Sequence, residues 1–250
     1  MLHFFRRIRK ALITDSKYRK YLMYALGEIA LVMIGILLAL QVNNWNEERK
    51  ILGQEKTYLI GIKNDLSQDT AFLTDVIKKH SYWMERIIYQ DPTLNHSYTD
   101  SYLTANLSFS HLVGRPVPEV RQVFTTERRF RPKQGSYNSL ISEGKSGIIT
   151  NRLLFDEIQR VYHLDYKSSE EIAQKLWERS NELINKFSYD IRYGNYGDPI
   201  KIDDKKMIGD LYSLYGILSF YTSFSINLKK EVTALIDEVE MELKLSLIHI

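Results

Sequence analysis

The stretch YALGEIALVMIGILLALQVNNWNE, residues 24–47, decides the fold. Residues 21–42 contain a single charged side chain, that of Glu28. As an α-helix rising 1.5 Å per residue, this segment would be about 33 Å long, enough to cross a hydrocarbon core of about 30 Å. A secretory signal peptide would be shorter and would end in a small-residue cleavage site. We therefore predict an uncleaved transmembrane helix over residues 21–43.

The charges that flank this segment predict its orientation. Residues 1–20 carry a net charge of +6, and because the whole chain carries +3, the remainder carries −3. Lys and Arg accumulate on the cytoplasmic side of a membrane, so we expect the N-terminus in the cytoplasm and residues 46–250 outside it. Aromatic residues at the two ends of the helix are typical interfacial anchors: Tyr21, Tyr24 and Trp45.

The N-terminal segment, residues 1–20, has its own pattern. LHFFRRIRKAL places Leu2, Phe5, Ile8 and Leu12 on one helical face and the basic residues on the other. This pattern is typical of an amphipathic helix on an anionic lipid surface, although a disordered basic tail would have the same composition. Since the excess positive charge is confined to this segment, nucleic acid is not an expected partner.

Apolar residues recur at helical spacing beyond Trp45, until Asp91-Pro92 ends the pattern. The spacing predicts long helices over about 46–90, 151–190 and 204–245, with Asn151 as an N-cap, a short helix over 99–112 and a loop over 113–133. We predict an all-α fold: an N-terminal amphipathic helix and one transmembrane helix that continues into an antiparallel periplasmic helical bundle. The apolar positions of the first long helix are Ile51, Tyr58, Ile62, Leu66, Leu73, Ile77, Met84 and Ile88.

One stripe of the transmembrane helix combines a carboxylate with small residues. Glu28, Val32, Gly35 and Ala39 share a helical face, and the small pair would let two helix backbones approach closely in lipid. We predict a homo-oligomer seam here, with Glu28 protonated or hydrogen-bonded. Two alternatives remain open: Glu28 could extend toward Lys20 or water, or it could couple to proton or ion movement.

The sequence has no recognisable catalytic signature. The segment SEGKSG, residues 142–147, contains Gly-Lys-Ser, but a phosphate loop would need glycine at position 139, which is Ser139. There is no cysteine, no His-Glu-x-x-His pair and no Gly-x-Ser-x-Gly elbow. We therefore predict no enzyme activity, no metal site and no cofactor.

A basic patch lies within the predicted loop over 113–133, in a region that is otherwise acidic. It could contact an anionic partner such as lipid headgroups, a glycan polymer or an acidic envelope protein. Alternatively, its side chains could pair with acidic helix faces. The residues are Arg115, Arg121, Arg128, Arg129, Arg131 and Lys133.

Residues 3–50 closely resemble the start of a family of uncharacterised bacterial envelope proteins, defined only by a domain of unknown function, and with a second, looser match the resemblance covers most of the chain. The shared signature has a basic Phe-Phe-x-x-Ile-Arg start, followed by Tyr-Ala-x-Gly-Glu-Ile, Gly-Ile-Leu-x-Ala-Leu-Gln and Asn-Asn-Trp-Asn-Glu. A looser match, FRPKQGSYNSLISEGKSGIITNRLLFDEIQRVY, departs from the family at Ser-Glu-Gly-Lys-Ser. The matching residues of the first part are Phe4, Phe5, Ile8, Arg9, Tyr24, Ala25, Gly27, Glu28, Ile29, Gly35, Ile36, Leu37, Ala39, Leu40, Gln41, Asn43, Asn44, Trp45, Asn46 and Glu47.

This resemblance implies a single-pass protein of the bacterial inner membrane with a periplasmic domain, and it implies no activity. We predict a membrane-anchored, non-enzymatic interaction or sensor-like module whose partners are the lipid bilayer and further copies of itself. The alternative is an ion-coupled accessory subunit that uses Glu28 with a multi-span partner. The closing residues, LSLIHI, break the charged pattern before them, and we expect them not to be native.

Overall fold

The computed structural model describes residues 16–90, 128–187 and 205–248, and within these ranges the chain is all-α and has no strand. The helices are α1, Ser16–Gln90; α2, Gly135–Ser142; α3, Arg152–Arg160; α4, Tyr166–Lys186; and α5, Lys205–Ile248. A short 3-10 turn, Ser146–Ile148, precedes α3, and a π-helical turn, Val161–Asp165, joins α3 to α4.

The chain divides into two compact units, Met1–Gln54 and Glu55–Ile250. The described part of the first unit belongs to α1 and contains a helical segment long and apolar enough to cross a membrane. Its large apolar side chains are exposed, which is the opposite of the pattern in a water-soluble helix. A candidate membrane-spanning helix is therefore present where the sequence predicts one.

The second unit has two apolar cores. Both combine residues of α1 with residues of α5, and each adds side chains from the intervening segments. The first core contains Leu59, Ile62, Leu66, Leu73, Val76, Phe130, Leu154, Phe155, Ile158, Tyr162, Tyr166, Leu228, Val232, Leu235 and Val239, among others. The second contains Met84, Ile87, Ala173, Leu176, Leu183, Phe187, Leu211, Leu214, Tyr215, Leu218, Tyr221 and Ile226.

At two positions of α1, the buried residue is the sequence neighbour of the residue that was predicted to be buried. Leu59 and Val76 are buried, whereas the predicted Tyr58 and Ile77 are only partly buried. Ile51 is 43% exposed. Because the helical period is 3.6 residues, the spacing alone does not decide which of two adjacent residues points into the core. The packing of α1 against the other helices decides it.

The single helix predicted over 151–190 is three consecutive segments in the described range. Asn151 caps α3 as predicted, because its side chain accepts a hydrogen bond from the Leu154 amide at 3.2 Å. The π-helical turn inserts an extra residue between α3 and α4, a feature that apolar spacing does not reveal. The predicted helix over 99–112 lies outside the described residues, as does the loop as far as residue 127.

Helix α2 ends at Ser142, the first residue of the segment 142–147 that contains Gly-Lys-Ser. Gly144 has a φ of +68°, and its amide donates to Ile141 O while the Lys145 amide donates to Leu140 O. This pair of hydrogen bonds is the Schellman arrangement that terminates a helix at a left-handed glycine. The Gly-Lys-Ser sequence therefore belongs to a helix stop, as expected once a phosphate loop is excluded.

Candidate functional site

The first candidate is the exposed apolar surface of α1 in the first unit. Thirteen large aliphatic side chains between residues 22 and 42 are each more than half exposed. A contiguous apolar surface of this kind marks a contact with lipid or another protein. The residues are Leu22, Met23, Leu26, Ile29, Leu31, Val32, Met33, Ile34, Ile36, Leu37, Leu38, Leu40 and Val42.

The predicted stripe lies on this surface. Glu28, Val32, Gly35 and Ala39 are all exposed. A Cβ atom added to Gly35 would meet nothing within 4 Å among the described residues. No contact among the described residues of one chain therefore requires glycine at position 35. A helix that packs closely against Gly35 would have to belong to another part of the chain or to another molecule.

Glu28 is one of the residues of α1 that line an open groove of about 580 Å³. Gly27 leaves room beside Glu28, and Tyr24 and Leu31 supply apolar walls. Lys20 lies eight residues before Glu28, about 12 Å along the helix axis, and the two side chains form no ion pair in the described structure. The groove also includes Met23.

Two of the three predicted anchors have described side chains. Tyr24 is 82% exposed and Trp45 is 56% exposed, with the Arg49 guanidinium 5.2 Å from the Trp45 ring centroid. Tyr24 and Trp45 are 21 residues apart, which corresponds to about 32 Å of helix and matches the thickness of a hydrocarbon core. The side chain of Tyr21 lies outside the described set.

The structure describes four of the six residues of the predicted basic patch, all in the second unit. Arg128 forms an ion pair with Asp75 and lies 4.6 Å from the Phe72 ring centroid. Arg129 donates to Gln174 and lies 4.7 Å from the Trp177 ring centroid. Arg128 thus pairs with an acidic side chain of α1, whereas the contacts of Arg129 are with an amide and an indole ring. Arg131 and Lys133 are exposed, while Arg115 and Arg121 lie outside the described residues.

Sequence reasoning missed a column of polar side chains on α1. It holds the segment 128–137, which we call the strap. His80 Nε2 donates to Arg128 O at 3.0 Å, and Asp69 Oδ1 accepts from the Lys133 amide at 2.8 Å. Asp65 Oδ2 accepts from the Ser136 amide at 2.9 Å. Residues 128–134 have no regular secondary structure and Ser136 lies in the first turn of α2, so these side chains pair with backbone groups that have no partner within a helix.

The strap also inserts an aromatic side chain between the helices. Phe130 is 4% exposed, and its ring centroid lies 5.9 Å from that of Phe72 and 5.2 Å from that of Tyr166. Its amide donates to the Tyr221 hydroxyl of α5 at 3.0 Å. Phe130 therefore links α1, α4 and α5 through a single buried position.

Tyrosines of the π-helical region complete this polar interior. Tyr166 donates to Asp69 Oδ2 at 2.8 Å, and Tyr137 stacks on Tyr162 with ring centroids 4.4 Å apart. Tyr137 also forms a 2.7 Å hydrogen bond with His163 Nε2. Burial, more than the nearby carboxylates, raises the pKa of Tyr162 and of Tyr166, so both remain neutral phenols.

One sequence signal could have identified the buried polar residues. The core positions of α1 follow alternating steps of three and four, and Asp69 and His80 fall on that series between Leu66 and Met84. Polar residues on an apolar series indicate a buried polar contact. Asp65 and Asp69 are two carboxylates on one face, but both accept backbone amides, so their arrangement fits a structural role better than acid–base chemistry.

Over the residues that the structure describes, the fold and these sites define a helical protein with one candidate membrane-spanning helix. Residues 28–90 match the model of a family of unknown function, DUF6090. The match covers about a quarter of the chain and contains Glu28, Gly35 and the strap-binding side chains of α1. It agrees with the resemblance to an uncharacterised family. No curated protein and no solved structure matches the chain.

Proposed function

We propose that the protein is a single-pass, membrane-anchored interaction or sensor-like module of the bacterial inner membrane, without enzyme activity. Residues 21–43 span the bilayer, the N-terminus is cytoplasmic, and residues 46–250 form a periplasmic domain. The observation that carries this proposal is the exposed apolar surface of α1, which would be unstable in water. The basic residues at 1–20 support the orientation.

The domain is proposed to be an antiparallel bundle. Two contacts between α1 and α5 support this arrangement. Lys63 pairs with Glu240 at 3.4 Å, whereas Met84 accepts a hydrogen bond from Thr222 at 3.7 Å. As residue numbers rise along α1, those of the contacting residues on α5 fall, which is the order expected for two helices that run in opposite directions.

The anchor is proposed to self-associate through the stripe of Glu28, Val32, Gly35 and Ala39. A bare glycine edge permits close backbone contact, and a carboxyl group can hydrogen-bond across the seam. Lipid offers no competing hydrogen-bond partner at this depth, so a protonated or paired Glu28 would favour association.

In-membrane crosslinking of the wild type, Glu28→Gln and Gly35→Leu tests the seam. A neutral amide still hydrogen-bonds, so Glu28→Gln should keep the crosslinks, whereas Gly35→Leu should remove them by holding the backbones apart. Gly27→Leu is the matched control, because Gly27 lies off the stripe and is equally free of contacts within 4 Å among the described residues. Crosslinks that survive Gly35→Leu would refute the seam.

A second candidate is an ion-coupled accessory subunit. It is favoured by Glu28 itself, a carboxylate on an exposed apolar helix with no ion pair among the described residues. This role needs a multi-span partner and a change in protonation. If Glu28→Gln abolishes a cellular phenotype while crosslinks persist and a multi-span protein co-purifies, this second role replaces the first.

A further inference from the structure

One side of α1 in the second unit is exposed and carries no charge. Between residues 57 and 74, a stretch that the structure describes throughout, seven residues are exposed and none of these is charged. On α4, by contrast, seven of the nine exposed residues are charged. A helix that faces only water usually carries charges on its exposed side, whereas the centre of a protein interface is depleted of them. The exposed side of α1 therefore has the composition of an interface.

The charged residues of the same stretch are used inside the second unit. Lys63 pairs with Glu240 of α5 at 3.4 Å. Asp65 and Asp69 accept backbone amides of the strap at 2.9 Å and 2.8 Å. All the charges of residues 57–74 are thus turned toward α5 and the strap. The absence of charge is a property of the exposed side and not of the whole stretch.

The exposed residues recur at alternating steps of three and four. This is the spacing of the a and d positions of a coiled coil. With residue 57 at an a position, Ile60 falls on d and Asn64 on the next a. A single Asn at an a position specifies the register and the number of helices in a coiled coil. We call this set of residues the heptad face; its members are Thr57, Ile60, Asn64, Ser67, Ala71 and Thr74.

Hydroxyl groups of this face already have partners in their own helix. Ser67 Oγ donates to Lys63 O at 2.8 Å, and Thr74 Oγ1 donates to Thr70 O at 2.7 Å. Beside the face, Thr70 Oγ1 donates to Ser67 O at 2.8 Å. An unpaired donor is costly to remove from water, but a hydroxyl that bonds back to its helix is not unpaired. Another helix can therefore cover Ser67 and Thr74 without leaving their hydroxyl protons unsatisfied.

A second copy of the chain is the occupant that the register fits. Counted back along α1, the same alternation, with one additional step of four, reaches the stripe of Glu28, Val32, Gly35 and Ala39. Two chains anchored in one membrane are parallel, so like residues of the heptad face would meet across a two-fold axis. Ile60 is the face's one large aliphatic residue, so the contact alone would be weak. A shared anchor makes a weak contact sufficient, because tethering raises the effective concentration to about millimolar.

We propose that the heptad face is a self-association surface, along which α1 of two copies pairs as a short parallel coiled coil outside the membrane. The pairing deepens the proposed self-association. It rests on the proposed anchor, which keeps two chains parallel, but it uses residues other than those of the proposed seam. The two surfaces can therefore be probed separately.

Single-cysteine crosslinking of the full chain in its membranes tests the heptad face, since the chain has no cysteine of its own. Like residues at a or d of a parallel pair are close enough for a disulfide, so Ala71→Cys and Thr74→Cys should each give a covalent dimer on oxidation with copper phenanthroline. Co-expression of chains with tags of two lengths should give a mixed dimer of intermediate size, which identifies the partner as a second copy.

Two exposed positions on α5 are matched controls. Ala234→Cys matches Ala71→Cys in residue type and exposure. Thr233→Cys matches Thr74→Cys, because Thr233 Oγ1 also donates to its own helix, to Lys229 O at 2.7 Å. Both control variants should remain monomeric under the same oxidation.

Like charges on the heptad face should separate the pair. Ser67→Glu, added to Ala71→Cys, should lower the dimer yield at least about tenfold, because two carboxylates would face each other. Co-expression of Ser67→Glu and Ser67→Lys chains, each with Ala71→Cys, should restore a mixed dimer. The control is Thr233→Glu on α5, which should leave the yield unchanged.

Val32→Cys reports the seam in the same membranes. Dimers at Val32→Cys without dimers at Ala71→Cys and Thr74→Cys would overturn the heptad face and leave the seam standing. Dimers at Ala71→Cys and Thr74→Cys without dimers at Val32→Cys would support the heptad face and refute the seam. Equal yields at the α1 and α5 positions, or a yield that Ser67→Glu does not change, would overturn the heptad face.

Discussion

Replacing Gly61 with alanine should destabilise the second unit, although alanine is the better helix former. A Cβ atom at position 61 would lie 2.7 Å from Ser136 Oγ and 3.0 Å from Ser136 Cβ. The hydroxyl can rotate away, but the Cβ cannot move without displacing the start of α2. That displacement would stretch the 2.9 Å hydrogen bond from the Ser136 amide to Asp65.

The magnitude follows from two opposing effects. Forcing an extra carbon into a packed contact costs about 1–3 kcal/mol, while Gly→Ala in a helix gains about 1 kcal/mol. The matched control is Gly53→Ala, in the same helix, where an added Cβ meets nothing within 4 Å among the described residues. We expect Gly53→Ala to gain about 0.5–1 kcal/mol and to exceed Gly61→Ala by about 1–3 kcal/mol.

Thermal unfolding followed by circular dichroism measures this difference in the detergent-solubilised chain. For a domain of this size, each kcal/mol corresponds to about 2–4 °C in Tm. The double variant Gly61→Ala/Ser136→Gly removes both clashing atoms and should recover the loss relative to Ser136→Gly alone. Equal increases in Tm for Gly53→Ala and Gly61→Ala would refute the close approach of α1 and α2.

Two further substitutions test the packing of the second unit. In chemical denaturation, Phe130→Ala should lower the free energy of unfolding by about 3–5 kcal/mol, because it empties a buried site shared by three helices. The control is Arg131→Ala at the exposed neighbouring position, which should change the free energy of unfolding by less than about 0.5 kcal/mol. Asn151→Ala should cost about 1 kcal/mol through loss of the α3 cap. Because Asn151 Nδ2 also donates to Glu242 Oε2 at 2.6 Å, Asn151→Asp is compared with Asn151→Ala in a Glu242→Gln background, where the new carboxylate is not repelled and should retain most of the cap energy; an Asp variant as unstable as Ala in that background would argue against capping.

The elements that sequence predicted best are those that depend on local composition and spacing. The apolar segment from residue 21 needs no tertiary partner to be recognised, because its length and lack of charge suffice. The Asn151 cap is similarly local, since donor and acceptor are three residues apart. Both are properties of one helix.

The strap could not be predicted in this way. Its ties join residues that lie far apart in sequence: Lys133 to Asp69 across 64 positions and Phe130 to Tyr221 across 91. No periodicity connects such partners. The partners of Arg128 and Arg129 could not be predicted from sequence for the same reason. Their charge suggests a surface patch, but in the structure Arg128 pairs with Asp75 and Arg129 packs over the Trp177 ring.

Single-cysteine labelling tests the central claim, that one helix spans the membrane with the second unit outside the cytoplasm. The chain has no native cysteine, so each variant carries one reactive thiol. Ser16→Cys marks the start of α1, and Lys175→Cys marks an exposed position on α4. In intact cells with a permeabilised outer layer, a membrane-impermeant maleimide should label Lys175→Cys and should label Ser16→Cys only after the inner membrane is disrupted. Labelling of Lys175→Cys only after that disruption would contradict the account.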